Sequence, residues 1–222
     1  MIRQFVNAIK IFFFHRLHFL KEAELKLNSQ QENELNQVFY KILDAKGAFF
    51  TYSSNIPIHV FLNYIVENKQ VLVHGSNNRG ITQFEPRTQT LANGIPVKAV
   101  FASSDGIWSL FFAVVNRKSV HSLRNMCITI PTQKGIKRYY YFSIAKQNND
   151  RYWTNGTIYI LPKCTFEQGG VKSEWITNQH VTPLAKINVS PSNFPFCDQV
   201  SKHNSTESPL KTLFHVLVRN RK

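Results

Sequence analysis

The spacing of apolar positions divides the 222-residue chain into a helical start and a strand-rich remainder. Residues 2–20 are apolar but interrupted by Arg3, Lys10, His15, Arg16 and His18, and the longest uncharged run is too short to cross a bilayer. The stretch reads as a helix packed on the body, with a basic amphipathic helix lying on a membrane surface as the alternative. From Leu35 to Leu43 apolar residues recur at intervals of three and four. That spacing predicts an amphipathic helix with Ser29 as its N-cap and Gly47 as its end. A second short helix is predicted over 59–66, after Pro57, with Val60, Phe61, Tyr64 and Ile65 on one side.

From Val71 onward the pattern changes to short β-branched or aromatic runs, most of them separated by Gly, Pro, Asn or Lys. Strands are predicted over 71–73, 97–101, 126–130, 139–144, 157–161, 185–189 and 212–218. Residues 107–115 follow a strand directly, with Asp105 near a cap position, and read as a helix. Residues 190–208 are rich in Ser, Pro and Asn and read as a loop. The expected fold class is α+β, with helices first and a mainly antiparallel sheet after them. The expected organisation is a helical region over 1–68, a β-rich domain over 69–200, and a basic tail or last strand over 201–222.

Charge adds a partner class. The chain has 27 Lys and Arg against 13 Asp and Glu, a formal balance of +14. Residues 1–50 hold 7 against 5 and the remainder 20 against 8, so the surplus sits in the body. Such a field favours RNA, DNA, an acidic membrane or a phosphate-bearing cofactor. The 18 Phe read as core. Three scattered cysteines without a CxxC pair fit a reducing, cytoplasmic setting without structural zinc. His15 and His18 lack a third ligand, so no metal site is expected. Cys164, beside Lys163, reads as a small buried hydrophobe.

Gly75 to Thr82 nearly spells a phosphate loop, but Ile81 stands where the lysine belongs, and a polar turn is the simpler reading. Carboxylates are scarce after residue 50. Among them Glu174, set between Ser173 and Trp175 after Gly169-Gly170, is the best candidate to face a pocket.

Val73-His74-Gly75-Ser76 resembles the first motif of the ADP-ribosyltransferase superfamily, in which a strand ends in His-Gly-Ser/Thr. Val100 to Asp105, followed by Trp108 to Ala113, resembles the second, and Ser173-Glu174-Trp175 resembles the third. The likeness spans about 72–189, and the strings His-Gly-Ser, Phe-Glu-Pro-Arg and Val-Phe-Ala-Ser-x-Asp are shared with uncharacterised bacterial proteins. The resemblance implies a split-sheet fold acting on NAD, by ADP-ribosyl transfer or glycosidic cleavage. It implies His74 on the ribose and Glu174 as the catalytic carboxylate. Gly75, Ser76, Arg79, Arg87, Ser103, Trp108 and Phe112 would then hold the cofactor. The tyrosine that stacks on nicotinamide in the family has no counterpart, and Trp108, Phe111 or Phe112 is the candidate substitute.

The chemistry is coherent with those residue types. Breaking an N-glycosidic bond creates a cationic sugar that a nearby carboxylate stabilises, while guanidinium groups hold pyrophosphate. The reading requires His74 and Glu174 to open into one cleft, within roughly 10 Å of each other. Two other classes compete. One is a nucleic-acid-binding module built on Arg117, Lys118, His121, Arg124, Lys134, Lys137 and Arg138, leading into the aromatic run Tyr139 to Phe142. The other is an inactive family member serving as an interaction protein.

Overall fold

The computed structural model describes residues 2–147 and 150–218, with the side chains of Ile2, Arg3 and Val216 left aside. Residues 219–222, part of the expected basic tail, lie outside the described residues. Contacts group the chain into two compact units, each discontinuous in sequence. One comprises 1–25, 117–152 and 196–222; the other comprises 26–116 and 153–195.

The larger unit holds three helices, α2 (Ser29–Leu43), α3 (Ile58–Asn68) and α4 (Gly106–Val114). Its seven strands are β2 (Val71–Ser76), β3 (Arg87–Thr90), β4 (Pro96–Ser103), β7 (Gly156–Pro162), β8 (Glu167–Gln168), β9 (Glu174–Thr177) and β10 (Ala185–Val189). They form one sheet in the order β10-β7-β2-β4-β9-β8, with β3 pairing β4, and every ladder is antiparallel. α2 buries Leu35, Val38, Phe39 and Ile42, the row its spacing predicts. Its N-cap is Asn28 rather than Ser29: the Asn28 carboxamide accepts from the Gln31 amide, and the Gln31 side chain answers on the Asn28 amide. At α4, Asp105 is the N-cap and accepts from the Trp108 amide at 2.8 Å.

α4 lies directly against β2 and β7. A Cβ at Gly75 would stand 1.9 Å from the Ser109 carbonyl oxygen, and one at Gly156 would stand 1.8 Å from that of Ala113. Only a residue without a side chain lets a helix backbone approach strands this closely. The last-turn carbonyls of α4 find outside partners, since the Asn77 side-chain amide donates to Ala113 and the Thr154 amide to Val114. The other face of the sheet carries a separate cluster in which Leu72, Ala102, Tyr159 and Leu161 pack with Phe84, Phe166 and Val181.

The smaller unit contains α1 (Ile2–Arg16), β1 (Leu20–Glu22), β5 (Leu123–Thr132), β6 (Gly135–Ala145), β11 (Ser201–His203) and α5 (Pro209–Val218). β5 and β6 form a long hairpin, β1 pairs antiparallel to β6, and β11 pairs parallel to it. Tyr139, Tyr141, Met126, Ile128 and Ile130 alternate onto one face of this sheet. There they meet Ile11, Phe14 and Leu17 of the α1 end and Leu213 and Leu217 of α5.

Two expectations are corrected here. Residues 212–218, read as a strand, belong to α5: Leu210, Leu213, Phe214, Leu217 and Val218 follow a helical period, and Pro209 opens it. The stretch 190–208, read as loop, contains β11 and two short 3-10 turns, Pro191–Asn193 and Cys197–Gln199.

Candidate functional site

β2 and β4 pair at a single position, Val73 opposite Ser103. Beyond it the strands part, and the His74 ring occupies the space, its Nδ1–H donating to the Phe101 carbonyl at 2.8 Å. A carbonyl cannot donate, so this bond fixes the proton on Nδ1. The rings of Phe84 and Tyr159 stand edge-on to His74, with centroids 4.8 and 6.5 Å away. The residue keeps partial contact with solvent, yet its ring lies deep in the protein. Burial pushes its pKa down more than the Phe101 bond raises it, so His74 is neutral near pH 7.

Glu174 opens β9 opposite Ser103, which is itself opposite Val73. Directly opposed residues share a face of a sheet, and successive residues alternate. Glu174 therefore projects with Val73, and His74 projects from the reverse side. The carboxylate is also occupied. Gly170 N–H donates to it at 2.7 Å, and Ala92 N–H donates to both oxygens at 3.1 and 3.3 Å. Glu174 is 6% exposed and pins two loops, 91–95 and 169–173, to the start of its own strand. His74 and Glu174 therefore leave the sheet on opposite faces rather than opening into one cleft.

The other expected residues disperse as well. Ser103 is buried, donating to the Ser173 carbonyl and accepting from the Asp105 amide. Trp108 and Phe112 form an edge-to-face pair on one side of α4, across the sheet from the His74 ring. Gly75 serves the approach of α4. Arg87 is exposed on β3 opposite Ala99. Cys164, expected to be buried, is exposed. In the smaller unit Tyr139, Tyr140, Tyr141 and Phe142 are buried, so the run expected to stack on bases is core. Among the described residues no cluster of three metal-ligating side chains occurs.

What remains is Arg79, in the turn after β2. It lines a cavity of about 330 Å³ together with Asn155, Gly156, Asn188, Ser190 and Asn193. No carboxylate lines the cavity. Ser76 on β2, Thr157 on β7 and Asn188 on β10 are opposed in one row, and His74, Tyr159 and Lys186 form the next row on the same face. The turn is held by Tyr159, whose hydroxyl donates to the Asn78 carbonyl at 2.6 Å and accepts from the Ile81 amide. The Arg79 guanidinium and the Lys186 ammonium each lie 5.6 Å from the centre of the Phe49 ring, which is 45% exposed. Thr157, in the middle of the first row, has a buried hydroxyl without a partner. Sequence reasoning named Ser76 and Arg79 but did not place Asn155, Asn188, Asn193 or Phe49 in a site; the Asn-x-Ser/Thr strings at Asn155 and Asn188 mark glycosylation acceptors rather than a pocket.

Comparison with known proteins finds no matching family model, no matching curated protein and no matching solved structure.

Proposed function

We propose that the larger unit binds a phosphate-bearing small molecule of nucleotide size, NAD among the candidates, in the Arg79 cavity. The observation that carries the reading is the lining: one arginine and three asparagines border a cavity with no carboxylate in its lining. A guanidinium holds phosphate by charge-assisted hydrogen bonds, and carboxamides suit sugar hydroxyls or base edges. The volume lies at the small end of ligand sites, which fits a mononucleotide better than a dinucleotide.

The reading is one of binding. Glu174, the carboxylate expected for ADP-ribosyl transfer, is held by backbone amides on the face opposite His74, an arrangement that supports binding rather than a transfer step.

Calorimetric titration with AMP, NAD and inorganic phosphate tests the proposal. AMP binds, and Arg79→Ala weakens it by about 10- to 100-fold, the loss of one charged hydrogen-bonding partner. Equal binding by wild type and Arg79→Ala sinks the site. Nicotinamide release that Glu174→Gln abolishes sinks the binding-only reading.

A further inference from the structure

The smaller unit has an outer layer whose apolar side chains exceed what its core uses. α1 turns Ile11 and Phe14 onto the sheet. Phe5, Ile9, Phe12 and Phe13, spaced by one helical turn, face away from it, and Phe5, Phe12 and Phe13 are 68%, 58% and 59% exposed. α5 repeats the arrangement: Leu213 and Leu217 pack inward, while Leu210, Phe214 and Val218 form an exposed row at intervals of four. Both helices cover the same face of the same sheet, and the His18 amide donates to the Leu217 carbonyl where they meet. Their exposed rows therefore belong to one outer layer.

Charge accompanies these rows. The smaller unit carries 17 Lys and Arg against 5 Asp and Glu, while the larger carries 10 against 8. Nearly the whole surplus of the chain is thus on the unit that exposes the apolar rows. Within α1, Arg16 lies over the Phe12 ring at 5.3 Å and Lys10 is exposed; in α5, Lys211 is exposed.

We infer that α1 and α5 form a docking face for an anionic lipid bilayer, on which the protein lies with its phenylalanines among the acyl chains. The chemistry selects this occupant. A second copy would bring an equal positive charge against the first. A nucleic acid would answer the charge but offers no apolar phase for the helical rows, and the tyrosines suited to base stacking are buried. Anionic headgroups over acyl chains answer both demands at once. Among the described residues no helix is long and apolar enough to cross a membrane, so the contact is interfacial. This inference does not depend on the Arg79 cavity, which belongs to the other unit.

Co-sedimentation of the full chain with vesicles tests it. One set is phosphatidylcholine alone, and the other contains about one third phosphatidylglycerol. The protein pellets with the anionic set only, and salt releases it as screening predicts. Phe12→Ser and Phe214→Ser leave the charge intact and each weaken partitioning by about tenfold, the loss of one inserted aromatic ring. Both positions are exposed, so the melting transition is unchanged; Phe5→Ser serves as a further variant should either soften the fold. Binding that all these variants retain in full, or no binding to anionic vesicles, overturns the inference. So does self-association in light scattering that the serine variants abolish, which would make the face a dimer contact. Oligonucleotide binding that the same variants weaken equally would assign the face to nucleic acid and overturn it too.

Discussion

Removing the Glu174 carboxylate separates a structural role from a catalytic one. In Glu174→Ala, the amides of Gly170 and Ala92 lose an acceptor that they reach at 2.7 and 3.1 Å in a site 6% exposed. Each hydrogen bond to an ionised group contributes about 1.5–3 kcal/mol, and the weaker Ala92 contact falls at the low end. Partial access of water to the freed amides offsets some of this, leaving a loss of about 3 kcal/mol. In a chain of this size that corresponds to a fall in Tm of about 6–12 °C. Glu174→Gln keeps one oxygen but sets an amide N–H₂ against a backbone donor, and costs about half as much. Urea unfolding followed by circular dichroism gives the stability change. Amide exchange adds a local readout, with protection lost first at Gly170 and Ala92. If Glu174→Ala unfolds at the wild-type midpoint with both amides still protected, the clamp is not what the carboxylate is for.

Other positions follow from the same geometry. Gly75→Ala forces a methyl into the Ser109 carbonyl, a backbone atom that cannot swing aside, and lowers stability by about 3 kcal/mol or prevents soluble folding; a wild-type melt rejects the contact. Asp105→Ala removes the α4 N-cap and costs about 1 kcal/mol, measured by urea midpoint, whereas Asp105→Asn recovers most of it. His203 is buried with both ring nitrogens bonded, Nδ1 to the Ser143 hydroxyl and Nε2 to that of Ser122. Burial, and then nearby Arg124, lower its pKa from 6.5, against a smaller raising effect of Glu207. The unfolded chain therefore binds the proton first, so stability is full above about pH 6.5 and falls as pH drops toward the folded value. His203→Gln flattens that slope in unfolding measured from pH 7.5 to 5, and an unchanged slope assigns the pH dependence elsewhere.

The local elements were legible because their signals are local. The three-and-four spacing of Leu35, Val38, Phe39 and Ile42 marks α2, and Asp105 before an apolar run marks α4. The strand at 185–189 is found with its predicted ends. α5 was missed because a window starting at Thr212 omits Pro209 and Leu210, the two residues that reveal its period. The site was harder to see for a physical reason. Strand register decides which face a side chain takes, and a single residue of offset places His74 and Glu174 on opposite sides. No spacing along the chain encodes that offset. Gly75 of the His-Gly-Ser string looks like a ligand-binding glycine in sequence, but the space beside it is filled by α4. The distribution of charge was equally hidden, since the basic unit is assembled from three separated segments.

The most direct test of the account follows amide and side-chain NMR resonances during titration with AMP. The account predicts shifts at Arg79, Gly156 and the carboxamides of Asn155, Asn188 and Asn193, with Glu174, Ala92 and Gly170 unmoved. Shifts centred on Glu174 and Trp108 that leave Arg79 and its neighbours still would contradict it.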